Sequence, residues 1–187
     1  MSNARTALLL MDFQADIAEH SRAAGTVQVA LDALAAARAS GVKVIFVKVG
    51  FRDGYPEIGE DTPVFSGAKA AGRFSGASSR LLEEFVPQDG EPVIDKRRFS
   101  AFAGSGLELV LRAHDIRDLV LAGVSTGGVV LSTLRQAFDM TYRMTVLSDG
   151  CFDPDAEVHD VLMRKIFPRQ ARVVSGAGWA AGLGSSG

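Results

Sequence analysis

Apolar residues along this chain come in short unbroken runs separated by longer stretches of helical spacing. Ala7-Leu8-Leu9-Leu10-Met11 stops abruptly at Asp12, and Val42 to Val49 is apolar and β-branched. Pro92-Val93-Ile94-Asp95-Lys96, Leu119 to Gly123, Met144 to Leu147 and Ala171 to Val174 continue the series. Runs of this length without polar alternation read as strands covered on both faces. Between them Val27, Ala30, Leu31, Leu34 and Ala37 recur at helical spacing over about Thr26 to Ser40, and Gly41 supplies a stop. Ser78 to Phe85 reads as a helical turn. Leu107–Ala113, Val129–Met140 and Asp155–Phe167 read as helices. Six apolar strands alternating with helices predict an α/β fold in one domain over 1–187: a Rossmann-like six-stranded parallel sheet with helices on both faces. With the strand order 3-2-1-4-5-6, strand order reverses between the first and fourth strands. Ligands bind at the carboxyl ends of strands near such a point. Asp12 ends the first strand, Lys96 the third, and Val124-Ser125-Thr126 follows the fourth.

Composition narrows the function without choosing it. A chain of 187 residues with net charge -2 and scattered basic residues has no field for nucleic acid. No apolar run approaches the roughly 18 residues that cross a bilayer, and the first strand is too short for a signal-peptide core. The single Cys151 excludes an intrachain disulfide and a thiolate zinc cluster, so a cytoplasmic location is expected. The tail 182–187 is expected to be disordered. Gly50 to Ala77 lacks periodicity and is long enough to be a lid, an intersubunit arm or a plain surface excursion with a short helix.

Several residues could carry chemistry. A carboxylate at Asp12, directly after a buried strand, is desolvated and suited to proton transfer, or else caps a turn. Lys96 could hold that carboxylate charged and stabilise developing negative charge, or lie on the surface. Backbone N–H groups near Gly127 and Gly128 open a helix and could receive an oxyanion, or the glycines only ease a turn. Cys151 reads as a small buried residue rather than a nucleophile. Ser125 or Thr126 could replace a nucleophile only with a histidine close enough to activate the hydroxyl, and none is near in sequence. His20, His114 and His159 are far apart, so no metal is expected. Gly104-Ser105-Gly106 lacks the context of a dinucleotide fingerprint, and no cofactor is expected.

Asp12-Phe13-Gln14, Lys96 before Phe99-Ser100-Ala101-Phe102, and Gly123-Val124-Ser125-Thr126 together resemble the isochorismatase-like (cysteine hydrolase) superfamily from Ala7 to Val174. The resemblance implies a catalytic Asp12 and Lys96, a cis peptide between Val124 and Ser125, and a turn that usually bears a catalytic cysteine at the position of Gly128. With glycine there, it implies hydrolysis in which Asp12 is the general acid and Lys96 its charge partner, without a thioester. A binding or regulatory protein that has lost catalysis, and an amide or carbamoyl hydrolase with a relocated nucleophile, are the alternatives. The loop Lys48 to Pro56 departs from the isochorismatase substrate loop, so a different small substrate, carboxylated or not, is as well expected as isochorismate. Phe13, Gln14, Ser125, Thr126 and Gly127 are expected to contact it, with Arg52, Tyr55 and Arg73 of the long loop as anchors. The metal-binding Asp-x-His-x-x-His pattern of the nicotinamidase relatives is missing, and Glu157 with His159 reads as a structural or capping pair. A homo-oligomer, dimer or tetramer, is the expected assembly.

Overall fold

Strand β1 (Thr6–Met11) is buried along its whole length, and so is β4 (Asp118–Val124), because each has a hydrogen-bonded strand on both sides and helices on both faces. The structure, a computed structural model, describes residues 3–183. Strands β2 (Lys43–Val49), β3 (Val93–Lys96), β5 (Arg143–Phe152) and β6 (Arg172–Val174) complete one parallel sheet in the order β3-β2-β1-β4-β5-β6. Alternate side chains feed two separate cores: Ala7, Leu9 and Met11 point to one face, Leu8 and Leu10 to the other. The first face packs against α4 (Leu107–Ala113) and α5 (Leu131–Asp139), through Leu107, Leu111 and Leu134. The second packs against α1 (Ala15–Ala23), α2 (Thr26–Ala39) and α7 (Gly176–Leu183), through Ala18, Ala30, Leu34 and Trp179. Helices α3 (Pro63–Ala70) and α6 (Ala156–Val161) lie at the carboxyl edge of the sheet with the loops around the crevice described below.

The sheet and its order are as the apolar runs predict. Four local differences have physical causes. Ser78 to Phe85 is not a helix: a short 3-10 turn ends at Ser78, Leu81 bridges Gln14, the Leu82 N–H donates to Phe13 O at 2.9 Å, and a turn closed by the Phe85 N–H on Leu82 O at 3.0 Å follows. Leu82 and Phe85 are buried by that pairing, so their spacing reflects a strand-like contact rather than a helix face. Helix α1 carries five charged or polar residues among nine and no apolar stripe, and nothing in its pattern announces it. The stretch 50–77, without periodicity, contains α3 with Pro63 in its first turn. The expected disordered tail begins inside α7, whose last residues are Gly182 and Leu183; residues 184–187 lie outside the described residues.

Candidate active site

Strands β1 and β3 end on the same edge of the sheet, separated by β2, and deliver Asp12 and Lys96 to one crevice of about 740 Å³. The Asp12 N–H still pairs with Val47 O at 2.8 Å, yet its φ of +60° turns the chain out of the strand. A non-glycine residue in that region costs on the order of 1–2 kcal/mol. Lys96 Nζ lies 2.9 Å from Asp12 Oδ2, and the two side chains are 2% and 6% exposed. The same ammonium donates to Arg98 O at 3.0 Å. The other carboxylate oxygen, Oδ1, is buried as well. Burial outweighs the Lys96 ammonium and pushes the Asp12 carboxyl up to about 6 from an ordinary value of 3.8.

The facing wall is the turn after β4. Its approach to β1 depends on Gly123, where a Cβ would stand 2.8 Å from Met11 O. The Val124–Ser125 peptide is cis. Ser125 then caps a π-helical turn over Thr126–Val130, its Oγ accepting from the Gly128 N–H at 3.1 Å. Ser125, Gly128 and Val129 line the crevice beside Asp12 and Lys96, and none of them carries a thiol. A Cβ at Gly128 would lie 2.7 Å from Ser125 Oγ and 3.6 Å from the Phe99 ring, so the serine hydroxyl occupies the space a side chain there would need.

Several expected contacts lie elsewhere. Phe13 is 1% exposed and stacks on Phe85 with ring centroids 4.7 Å apart, so it is core. Gln14, wholly buried, bonds Val49 twice, donating to its carbonyl at 3.0 Å and accepting from its N–H at 2.7 Å. Both side chains are spent on the fold. Thr126 is wholly buried with Oγ1 2.9 Å from His159 Nδ1, a partner 33 residues away that sequence distance conceals. A histidine is therefore beside a candidate hydroxyl, but that hydroxyl does not face the crevice. The Gly127 N–H donates to Asp153 Oδ2 at 2.7 Å, and the Gly128 N–H to Ser125, so neither is an open oxyanion donor. Arg52 pairs with Glu57 at 2.7 Å on the far side of the loop, and the Tyr55 hydroxyl donates to Arg73 O at 3.0 Å; neither reaches the crevice. Arg73 does line it, with Nη2 donating to Asp16 O at 2.7 Å.

The long loop supplies walls that no sequence pattern reveals. Phe65, Ala68 and Phe74 line the crevice, and Phe65 meets Phe99 with ring centroids 5.3 Å apart. The loop therefore covers the crevice from the same chain. Cys151 is 2% exposed, and burial pushes its thiol up to about 12. It borders a second cavity, of about 410 Å³, that includes neither Asp12 nor Lys96. Among the described residues no cluster of three or more His, Cys, Asp or Glu could hold a metal ion, and no helix is long and apolar enough to cross a membrane.

Comparison with known proteins agrees with this arrangement. The Isochorismatase domain family matches residues 6–178. The chain belongs to the isochorismatase family. Membership places it among hydrolases. The isochorismatase family protein YwoC of Bacillus subtilis is 32% identical over 169 residues, covering 88% of this chain and 87% of YwoC. The ureidoacrylate amidohydrolase RutB of Stutzerimonas stutzeri is 37% identical over 134 residues, 63% of this chain; the match spans only 53% of that protein's length. A cysteine hydrolase from Pseudomonas syringae pv. phaseolicola superposes with a TM-score of 0.89 at 24% identity, covering 99% of this chain and 95% of its own, a likeness of fold. The N-carbamoylsarcosine amidase of Thermoplasma acidophilum superposes with a TM-score of 0.74 at 26% identity, over 92% of this chain and 96% of its own.

Proposed function

We propose that this isochorismatase-family chain hydrolyses a small molecule by general acid catalysis, with Asp12 as proton donor, Lys96 as charge partner and no covalent thioester. One observation carries the reading. The crevice holds the buried Asp12–Lys96 pair and is bounded by a turn without a thiol. Oδ2 is engaged by Lys96, so the transferable proton sits on Oδ1. With the carboxyl at about 6, roughly a tenth of it is protonated at pH 7. Proton transfer to the terminal carbon of a vinyl ether leaves an oxocarbenium ion, Lys96 stabilises the carboxylate left behind, water adds to the electron-poor carbon and returns a proton to Asp12, and collapse of the hemiketal breaks the C–O bond to release the alcohol and a carbonyl product. The engaged Gly127 and Gly128 N–H groups favour a reaction whose charge builds as a cation rather than as a carbonyl oxyanion. Ser125 and Arg73, which line the crevice, are the proposed polar contacts to the substrate.

A second reading is favoured by the likeness to the ureidoacrylate amidohydrolase and the N-carbamoylsarcosine amidase. It is cleavage of an amide or ureido group, with Ser125 as the hydroxyl available in the crevice. A panel of vinyl ethers, ureido acids and carbamoyl amides, assayed with wild type, Asp12→Asn and Ser125→Ala, separates the two. The acid reading expects turnover of an ether, a loss of about a hundredfold or more in Asp12→Asn, and no adduct by intact-mass analysis. Near-normal turnover by Asp12→Asn, or a substrate-sized adduct on Ser125, would overturn it.

A further inference from the structure

The Lys96 ammonium is fastened from two sides. Asp12 Oδ2 lies 2.9 Å away, and the Arg98 carbonyl accepts from Nζ at 3.0 Å. The second fastening is a single peptide group, and its direction depends on what holds the residues on either side of it. On one side, the Arg98 guanidinium donates to Arg97 O at 2.6 Å and to Glu57 O at 2.8 Å, bridging the end of β3 to the long loop. Arg97 adds a tie to the same residue, its Nε 3.2 Å from Glu57 Oε1. On the other side, the Phe99 ring meets Phe65 of α3 with centroids 5.3 Å apart, and the Arg98 guanidinium stands 5.5 Å from that same Phe65 ring. Glu57 and Phe65 both belong to the segment that walls the crevice. Ile58, next to Glu57, is buried with Ala68 and Phe74, and those two line the crevice together with Phe65.

We propose that Arg98 is a positioning residue: it locks the carbonyl that orients Lys96 to the loop over the crevice, so that the seating of the loop decides how squarely the ammonium meets Asp12. A guanidinium suits the task, because its planar fork holds two carbonyls at once in fixed geometry. An ammonium is a point charge on a flexible stem, and once one acceptor drifts, the contact with the other is free to lengthen. A substrate packed under the loop thereby tightens the ion pair beneath it. Lys96 faces Asp12 from β3, while Asp16 of α1, Arg73 of the loop and Asp153 beyond β5 share the crevice. Arg73 lies 3.6 Å from Asp16, and Asp153 accepts from the Gly127 N–H, so these three groups have settings of their own. The inference rests on the proposed roles of Asp12 and Lys96, but its test reads the carboxyl itself and needs no substrate.

Carboxyl-carbon NMR of the full chain, with the Asp12 signal assigned by its loss in Asp12→Asn, follows the titration from its wild-type midpoint at about 6. Arg98→Ala should raise that midpoint by about half a pH unit, a part of what a close opposite charge supplies. Arg98→Lys keeps the charge without the bridge between two carbonyls, and should raise it as far. Phe65→Ala changes no charge and should raise it by less. Neither Arg98→Ala nor Phe65→Ala should add anything in a Lys96→Met background. Circular dichroism identifies the variants that fold, and if Arg98→Ala does not, Phe65→Ala alone decides. A wild-type midpoint in the folded variants would overturn the proposal. So would rescue by Arg98→Lys, or a shift that survives Lys96→Met, since either makes Arg98 a distant charge rather than a clamp. Those failures leave the acid reaction standing, because it is the turnover of Asp12→Asn that decides it.

Discussion

Two ion pairs stand at opposite ends of the central strands, and they are built differently. At the amino end, Asp118 of β4 is 1% exposed and receives both Nε and Nη2 of Arg143 at 2.7 Å, while the arginine itself is 72% exposed. Both carboxylate oxygens are bonded and the cation stays in water, so little desolvation opposes the pair. At the carboxyl end, Asp12 and Lys96 are both buried and touch through one carboxylate oxygen. The first arrangement spends its whole bonding capacity on the fold. The second takes both charges out of water, and burial raises the Asp12 carboxyl to about 6, where a proton can come and go near neutral pH.

Asp12→Asn should divide the two roles most sharply. Activity per folded molecule falls about a hundredfold, while thermal stability is expected to drop only moderately, because the amide keeps the shape but leaves the buried Lys96 ammonium without its counter-charge. A variant that loses activity only in step with its fold would make Asp12 structural. Lys96→Met comes next. Without the ammonium the Asp12 carboxyl rises above about 6, so the limb on which activity falls with rising pH should move to higher pH, with about a tenfold lower rate at its optimum. Stability has the same sign. The folded form then holds a proton that the unfolded chain releases near 3.8, so stability is lost as pH climbs from there through the raised folded value. Denaturant melts at pH 5 and pH 8 read this directly, and a smaller loss at pH 8 would contradict it. Arg143→Ala should lower Tm slightly and leave the pH limb where it was; a moved limb would mean the two ends are coupled. Alkylation of Cys151 should matter least, since the thiol is buried and held near 12, and full inactivation by it would make the thiol part of the chemistry.

What the sequence makes legible follows what local chemistry can encode. Leu8, Leu9 and Leu10 have to be buried on both faces, and that alone places β1 at the middle of a sheet. Asp12 and Lys96 are legible because each terminates such a run. Phe13 and Gln14, adjacent to the Asp12 carboxylate, look like site residues for the same reason, and only the packing of Phe85 and the bonds to Val49 reveal their other use. Thr126 and His159, or Phe65 and Phe99, meet across 33 and 34 positions, and no pattern within either segment specifies the other. Helix α1 has the composition of a solvated loop, and its position between β1 and the second core gives it a reason to be helical that its own residues do not state.

Gln14 has a wider implication. Its primary amide presents one donor and one acceptor to Val49, which is what a neighbouring strand residue would present through its own backbone. The side chain thus acts as a counterfeit peptide unit, keeping the edge of β2 satisfied just where β1 has to abandon it so that Asp12 can turn. The departure of β1 from the sheet and the integrity of the strand beside it are reconciled by that amide, with the Ser79 hydroxyl as a second donor to the Val49 carbonyl at 2.6 Å. Glutamate at this position has the same length but no N–H for the Val49 carbonyl, so it would set the two demands against each other again.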